Sequence, residues 1–104
     1  MIRSVRVAVT KISDGEKLYD VVTGQEGLTR RITEIWCEQG ADQIVRGYID
    51  TDRIVDVHMD CDQVVVLPIP VDHVLLIGQV FKVGILDEAS DTNVVDLTVF
   101  YEET

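Results

Sequence analysis

The sequence predicts an all-β chain, an antiparallel β-sandwich of about eight strands with jelly-roll or Ig-like topology. Three observations predict it. Short runs rich in β-branched residues recur along all 104 residues, polar or glycine-containing turns separate them at regular intervals, and no segment has a compelling helical period. With 46% apolar residues the chain can bury one core, so residues 1–104 read as a single domain.

The elements follow in order. In "VRVAVTKI", Val5, Val7 and Val9 alternate with Arg6, Ala8 and Thr10, the pattern of a half-buried strand. Asp14-Gly15 supplies a turn, "KLYDVVT" a second strand, and Gly24 to Gly27 a second turn. The segment "LTRRITEIWCEQG" is ambiguous: Leu28, Ile32, Ile35 and Trp36 suit helical spacing, whereas its Thr, Ile and Trp content favours a strand. A strand is the reading taken, with Trp36 in the core. "QIVRGYID" and "RIVDVHMD" form a pair about the turn Asp50-Thr51-Asp52, and "QVVVL" follows. Pro68 and Pro70 cannot lie inside a sheet and are expected at an extended crossing or corner. "HVLLIGQVFKVGIL" is one long apolar run in which Gly78 and Gly84 permit bulges or a bend between sheets. After the polar loop Asp87 to Asn93, "VVDLTVFYEE" closes the series with Val95, Leu97, Val99 and Tyr101 on one side.

Charge excludes several classes of function. Nineteen acidic residues against nine basic ones give a net charge of -10, which repels nucleic acid and anionic membranes. The largest basic cluster is the pair Arg30-Arg31, and no apolar stretch reaches the length of a membrane span. The first residues lack a cleavable-signal pattern, so the chain is expected to be soluble, made in the cytoplasm of its host cell and not exported by a cleaved signal. An acidic, lysine-poor surface suits a high-salt, halophilic setting, where screening suppresses self-repulsion. Cys37 and Cys61 lack CxxC spacing and read as small buried residues, with a single disulfide as the alternative.

One stretch raises the question of a metal. In "VDVHMDCD", period-two spacing aims Asp56, His58, Asp60 and Asp62 at one side of a strand. Same-face neighbours lie roughly 7 Å apart, so Asp56, His58 and Asp60 would hold calcium or another divalent cation only with help from a second strand. The competing reading, a solvated strand face with no cofactor, is preferred. Asp72-His73 does not make an acid-base dyad, because adjacent residues point to opposite faces. Ser4, Ser13 and Ser90 lack a GxSxG elbow, and no phosphate-binding glycine loop is present, so an enzyme is not expected. The loops Gly40 to Asp42 and Asp87 to Thr92 lie where sandwich proteins carry binding loops. Trp36, Tyr19, Tyr48, Tyr101, Phe81 and Phe100 mostly fall in apolar strand patterns, which argues against a sugar-stacking platform.

The arrangement of "ITEIW", "VRGYIDTDRIVDV", "HVLLIGQVFKVGI" and "VVDLTVFYEE" between Ile32 and Glu103 resembles small β-sandwich structural proteins of tailed phages and archaeal viruses, the kind that decorate or cement capsids or build turrets and spikes. The resemblance implies a non-enzymatic virion component on the outer capsid surface. Its implied partners are the major capsid protein and copies of itself, with a trimer or other cyclic homo-oligomer, contacts through the N-terminal strand or "VVVLPIP", and no nucleic acid or membrane. A ligand- or carbohydrate-binding sandwich module is the alternative.

Overall fold

Alternation in the sequence decides which face each strand buries, and pairing decides where each strand lies. The chain, seen as a computed structural model, is described over residues 1–10, 12–13, 15–38, 43–59, 66–87 and 94–104. It forms β1 (Ile2–Thr10), β2 (Ile12–Ser13), β3 (Tyr19–Thr23), β4 (Arg30–Glu38), β5 (Gln43–Ile49), β6 (Asp52–Met59), β7 (Val66–Leu75), β8 (Val80–Asp87) and β9 (Val94–Glu103). The expected all-β sandwich is what forms, and the ambiguous segment is strand β4.

The first sheet has the order β1-β9-β4-β7, and the second β3-β8-β5-β6, with the two-residue β2 also running along β8. Every pair is antiparallel except β2 with β8. The order has a simple origin. β5 pairs with β6, β4 with β7, β3 with β8 and β1 with β9, so the chain is one long hairpin folded about Asp50-Thr51 and rolled into two sheets. That is the jelly-roll form of the sandwich. At its tip Asp50 takes a left-handed conformation, with φ of 55°, which aspartate tolerates better than most residues.

Between the sheets lies the core. Val9, Ile32, Ile35, Cys37, Ile69, Leu75, Val95, Leu97, Val99 and Tyr101 face Val22, Val45, Ile49, Val55, Phe81, Val83 and Ile85. Removing each buried Val, Leu, Ile or Phe side chain of this set from water contributes about 1.5–3 kcal/mol. The inward set Val95, Leu97, Val99 and Tyr101 matches the sequence reading of β9.

Three local expectations need correction or refinement. Pro68 and Pro70 mark no corner; both lie within β7, which is tolerable because β7 is an edge strand with one side free of ladder bonds. Gly78, at φ of 84°, does bend the chain from one sheet to the other, in a tight turn between β7 and β8. Gly84 makes no bend: it sits inside β8, where a Cβ would stand 2.8 Å from Leu18 Cδ2 and 3.0 Å from the Lys17 carbonyl oxygen. Its missing side chain is what lets residues 15–18 lie against the second sheet.

The chain ends are tied together. Met1 and Glu103 exchange main-chain hydrogen bonds of 2.9 and 2.8 Å, and Thr29 and Thr104 do so at 3.0 Å. The Glu103 carboxylate accepts from Arg30 Nε at 2.9 Å and Arg3 Nε at 2.8 Å, which holds its pKa below the usual carboxylate range, Arg30 being the stronger influence. Arg30 also donates to the Thr23 carbonyl oxygen at 2.7 Å.

Candidate interaction surface

The two outer faces of the sandwich differ in chemistry. On the second sheet, Arg46 and Asp56 are register partners on β5 and β6, and Tyr48 faces the same way two residues on. Residues 15–18, pressed close by Gly84, place Glu16 over this face. Tyr48 donates its hydroxyl hydrogen to Glu16 Oε1, and Arg46 lies 3.8 Å from Glu16 Oε2. Arg46 and Arg53 each reach Asp56 at 3.4 Å, and the Arg53 guanidinium lies over the Tyr48 ring, 5.7 Å from its centroid. Five side chains thus close a ring. Burial, reinforced by the bond to Glu16, raises the Tyr48 pKa above its ordinary value.

This ring bears directly on the candidate metal residues. Asp56 and His58 do share the exposed face of β6, as period-two spacing requires, but the Asp56 carboxylate is already engaged by two guanidinium groups. A cation there would have to displace them. Asp60, Cys61 and Asp62 lie outside the described residues, and among the described residues no three His, Cys, Asp or Glu side chains gather as a metal would need. His73 is exposed on β7, and its neighbour Asp72 lies 3.4 Å from Arg31. Both end loops, 39–42 and 88–93, also fall outside the described residues. Cys37 is fully buried, with Gln43 Nε2 3.7 Å from its sulfur.

On the first sheet the outer face is apolar at its centre. Trp36 was expected in the core, yet it is 44% exposed on the outside of β4. The cause is a β-bulge. Ile32 lies opposite Tyr101 and Glu34 opposite Phe100, so β4 carries one extra residue, Thr33, whose hydroxyl donates to the Phe100 carbonyl oxygen at 3.2 Å. The extra residue resets the alternation: Ile32, Ile35 and Cys37 turn inward, and Trp36 is driven outward. The three-residue step from Ile32 to Ile35, which in the sequence imitates helical spacing, is the mark of this bulge. The step and the inward pair Ile35 and Cys37 were the signal that could have placed Trp36 outside.

The tryptophan does not stand alone. Its ring tilts 59° against Phe100 with centroids 5.0 Å apart, and its indole nitrogen donates to Glu34, which fixes the ring's orientation. Ile2, Thr33 and Glu34 join the two rings in lining a shallow concavity. Pro68 lies opposite Trp36 and Pro70 opposite Glu34, both exposed, which extends the stiff, apolar surface toward the β7 edge. Ile2 is 75% exposed at the other side. Such a patch, rimmed by Arg31, Glu102 and Asp96, has the composition of a recognition surface: an aromatic anchor within a polar border.

No protein-family model, curated protein or solved structure matches this chain.

Proposed function

We propose that this chain is a non-enzymatic structural protein of a virion, a capsid decoration, cement or turret component that binds the shell's major capsid protein and associates with copies of itself. The observation that carries the reading is the outward-facing Trp36-Phe100 platform, backed by Pro68 and Pro70 on a rigid sheet. Flat, stiff, apolar surfaces with an orientated tryptophan suit docking against another folded protein, because little side-chain entropy is lost on contact. The fold supports the reading by analogy alone, since jelly rolls serve capsid and lectin domains alike. The net charge of -10 supports a place on the outside of a shell, away from packaged nucleic acid, and it suits a high-salt, halophilic setting. In this role the protein needs no cofactor. The acidic strand face at Asp56 and His58 remains a solvated, arginine-paired surface that holds no calcium.

The test is capture by shells assembled from the major capsid protein of the virus that carries this coding sequence. Wild type should co-sediment in stoichiometric amount and W36A should not, with folding of both verified by circular dichroism. Failure of wild type to bind such shells in both low and molar salt would sink the proposal.

The same platform supports one competing reading, a carbohydrate-binding module. The sequence argued against it because the aromatics fell in apolar patterns, but Trp36 is in fact exposed and Glu34 stands beside it to accept hydroxyl hydrogen bonds. Quenching or shifting of Trp36 emission by soluble oligosaccharides, abolished in E34Q, would favour this reading over the first.

A further inference from the structure

We infer that β1 is a self-pairing edge: two copies of this chain join antiparallel through β1 into a two-fold dimer whose first sheets run on as a single eight-stranded sheet. The inference deepens the self-association in the proposed function and rests on it only for that step; shell binding by the Trp36 face stands or falls separately.

Met1 and Glu103 exchange both of their hydrogen bonds, so they form a bonded pair of the β1-β9 ladder. Bonded and non-bonded pairs alternate in an antiparallel ladder. Arg3, Val5, Val7 and Val9 therefore turn their N–H and C=O groups toward β9, while Ile2, Ser4, Arg6, Ala8 and Thr10 turn theirs to the edge along which no other described strand pairs. Thr10 agrees with this phase, because its N–H meets the Tyr19 hydroxyl at 3.3 Å, on the side away from β9. Ile2, Ser4 and Ala8 are exposed.

An open edge is an aggregation hazard unless it is blunted, and the other edges are blunted. β7 carries Pro68 and Pro70, which interrupt its row of donors. β6 carries Asp52, Arg53, Asp56 and His58. On its side of the second sheet, β3 is only five residues long and includes Asp20. β1 has nine residues and no proline. Of the nineteen acidic residues in the chain, none lies in residues 1–10, so this edge is where two copies of a strongly acidic molecule meet without opposed carboxylates. Its two charges each pair with a carboxylate of β9 in their own sheet, Arg3 with Glu103 at 2.8 Å and Arg6 with Asp96.

Geometry selects the register. Outward groups must meet outward groups, which leaves registers that differ by two residues. Placing Val5 on the two-fold axis sets Ile2 opposite Ala8 and Ser4 opposite Arg6 of the second copy. Placing Arg6 on the axis would oppose two guanidinium groups and would require the Thr10 N–H that Tyr19 already holds. Placing Ser4 on the axis leaves Ala8 without a partner. The occupant is thus a second β1 with Val5 at the centre.

The experiment measures mass by light scattering in molar salt, where repulsion between the acidic bodies is screened. Wild type should give twice the 11.7 kDa of the chain at high protein concentration, and S4P and A8P half of that. A proline at either position removes only an outward donor and keeps the β1-β9 ladder, and circular dichroism checks that the fold survives. V5C provides a second readout that needs no loss of function: a non-bonded pair on the axis has Cα atoms about 4.5 Å apart, within disulfide range, so mild oxidation should yield a covalent dimer absent from wild type treated alike. W36A should remain a dimer. A monomeric wild type, a dimer that persists in folded S4P and A8P, failure of V5C to cross-link, or a monomeric W36A would each overturn the inference.

Discussion

The two outer faces of this sandwich are built from the same kind of strand and do opposite things with their exposed side chains. On the second sheet Glu16, Arg46, Tyr48, Arg53 and Asp56 engage one another in a ring of ion pairs, a hydrogen bond and a cation–ring contact, so the face is occupied by its own side chains. On the first sheet Trp36, Ile2 and the two β7 prolines are exposed beside Phe100, with Glu34 holding the indole, so the face is open to a partner. What separates the two is phase and cover. A single bulge residue, Thr33, turns a large aromatic outward, whereas a single missing Cβ, at Gly84, allows a loop to lie over the polar face and close it.

The contrast can be broken most severely at Gly84. G84V puts a branched side chain where even a Cβ collides with Lys17 and Leu18, and should lift residues 15–18 from the sheet at a cost of about 2–3 kcal/mol in urea unfolding. A loss below about 0.5 kcal/mol would mean that the loop is not held there. Next in size, E16A leaves the Tyr48 hydroxyl and Arg46 without their carboxylate and should cost about 1–2 kcal/mol by the same assay.

The same ring has a pH signature. Because folding raises the Tyr48 pKa, the protonated phenol is what the native state favours. Its contribution is complete below the ordinary tyrosine value of about 10 and is lost as pH rises through the elevated one. Tyr19 moves the other way, its pKa lowered chiefly by the hydrogen bond from Thr10. Tyrosinate absorbance should therefore show Tyr19 ionising before Tyr48, with Y48F removing the later step; the reverse order would contradict the ring as described.

On the open face, W36A should cost only about 1 kcal/mol of stability, the worth of its contact with Phe100, while abolishing capture by shells. A loss of 3 kcal/mol or more would show that Trp36 belongs to the core after all. The smallest effect is expected at Asp56. D56N should change stability by less than about 1 kcal/mol, since its arginine pairs are solvent-exposed, and calcium should leave the Tm of wild type and variant alike. A calcium-dependent rise in wild-type Tm that D56N removes would reinstate the metal reading.

Much of the fold was legible because strand periodicity is local. The inward residues of β9 follow directly from strict alternation, and Asp50-Thr51 announces the turn about which the whole chain is folded. The candidate surface was less legible, because its two decisive features are relations between strands. Thr33 is an extra residue only with respect to β9, and within β4 its one trace is the three-residue step from Ile32 to Ile35, which equally imitates a helical period. Pro68 and Pro70 posed the same difficulty: they exclude a central strand, but a corner and an edge are equally consistent with that until neighbours are known. Asp56 was placed correctly on its face, while its arginine partners come from β5 and from the bulged start of β6.

The pairing of β1 with β9 carries a consequence for how the molecule is made. These strands lie at opposite ends of the described sequence, and each contributes to the same stretch of core. During synthesis β1 leaves the ribosome long before its ladder partner exists, so its apolar residues must wait until β9 arrives. Closing so long a loop makes folding slow, on the ms to s scale of sandwiches with distant contacts. The newborn chain is thus most vulnerable to misassembly in the interval before its ends meet, and a chaperone that shields the first ten residues would act at the step where help matters most.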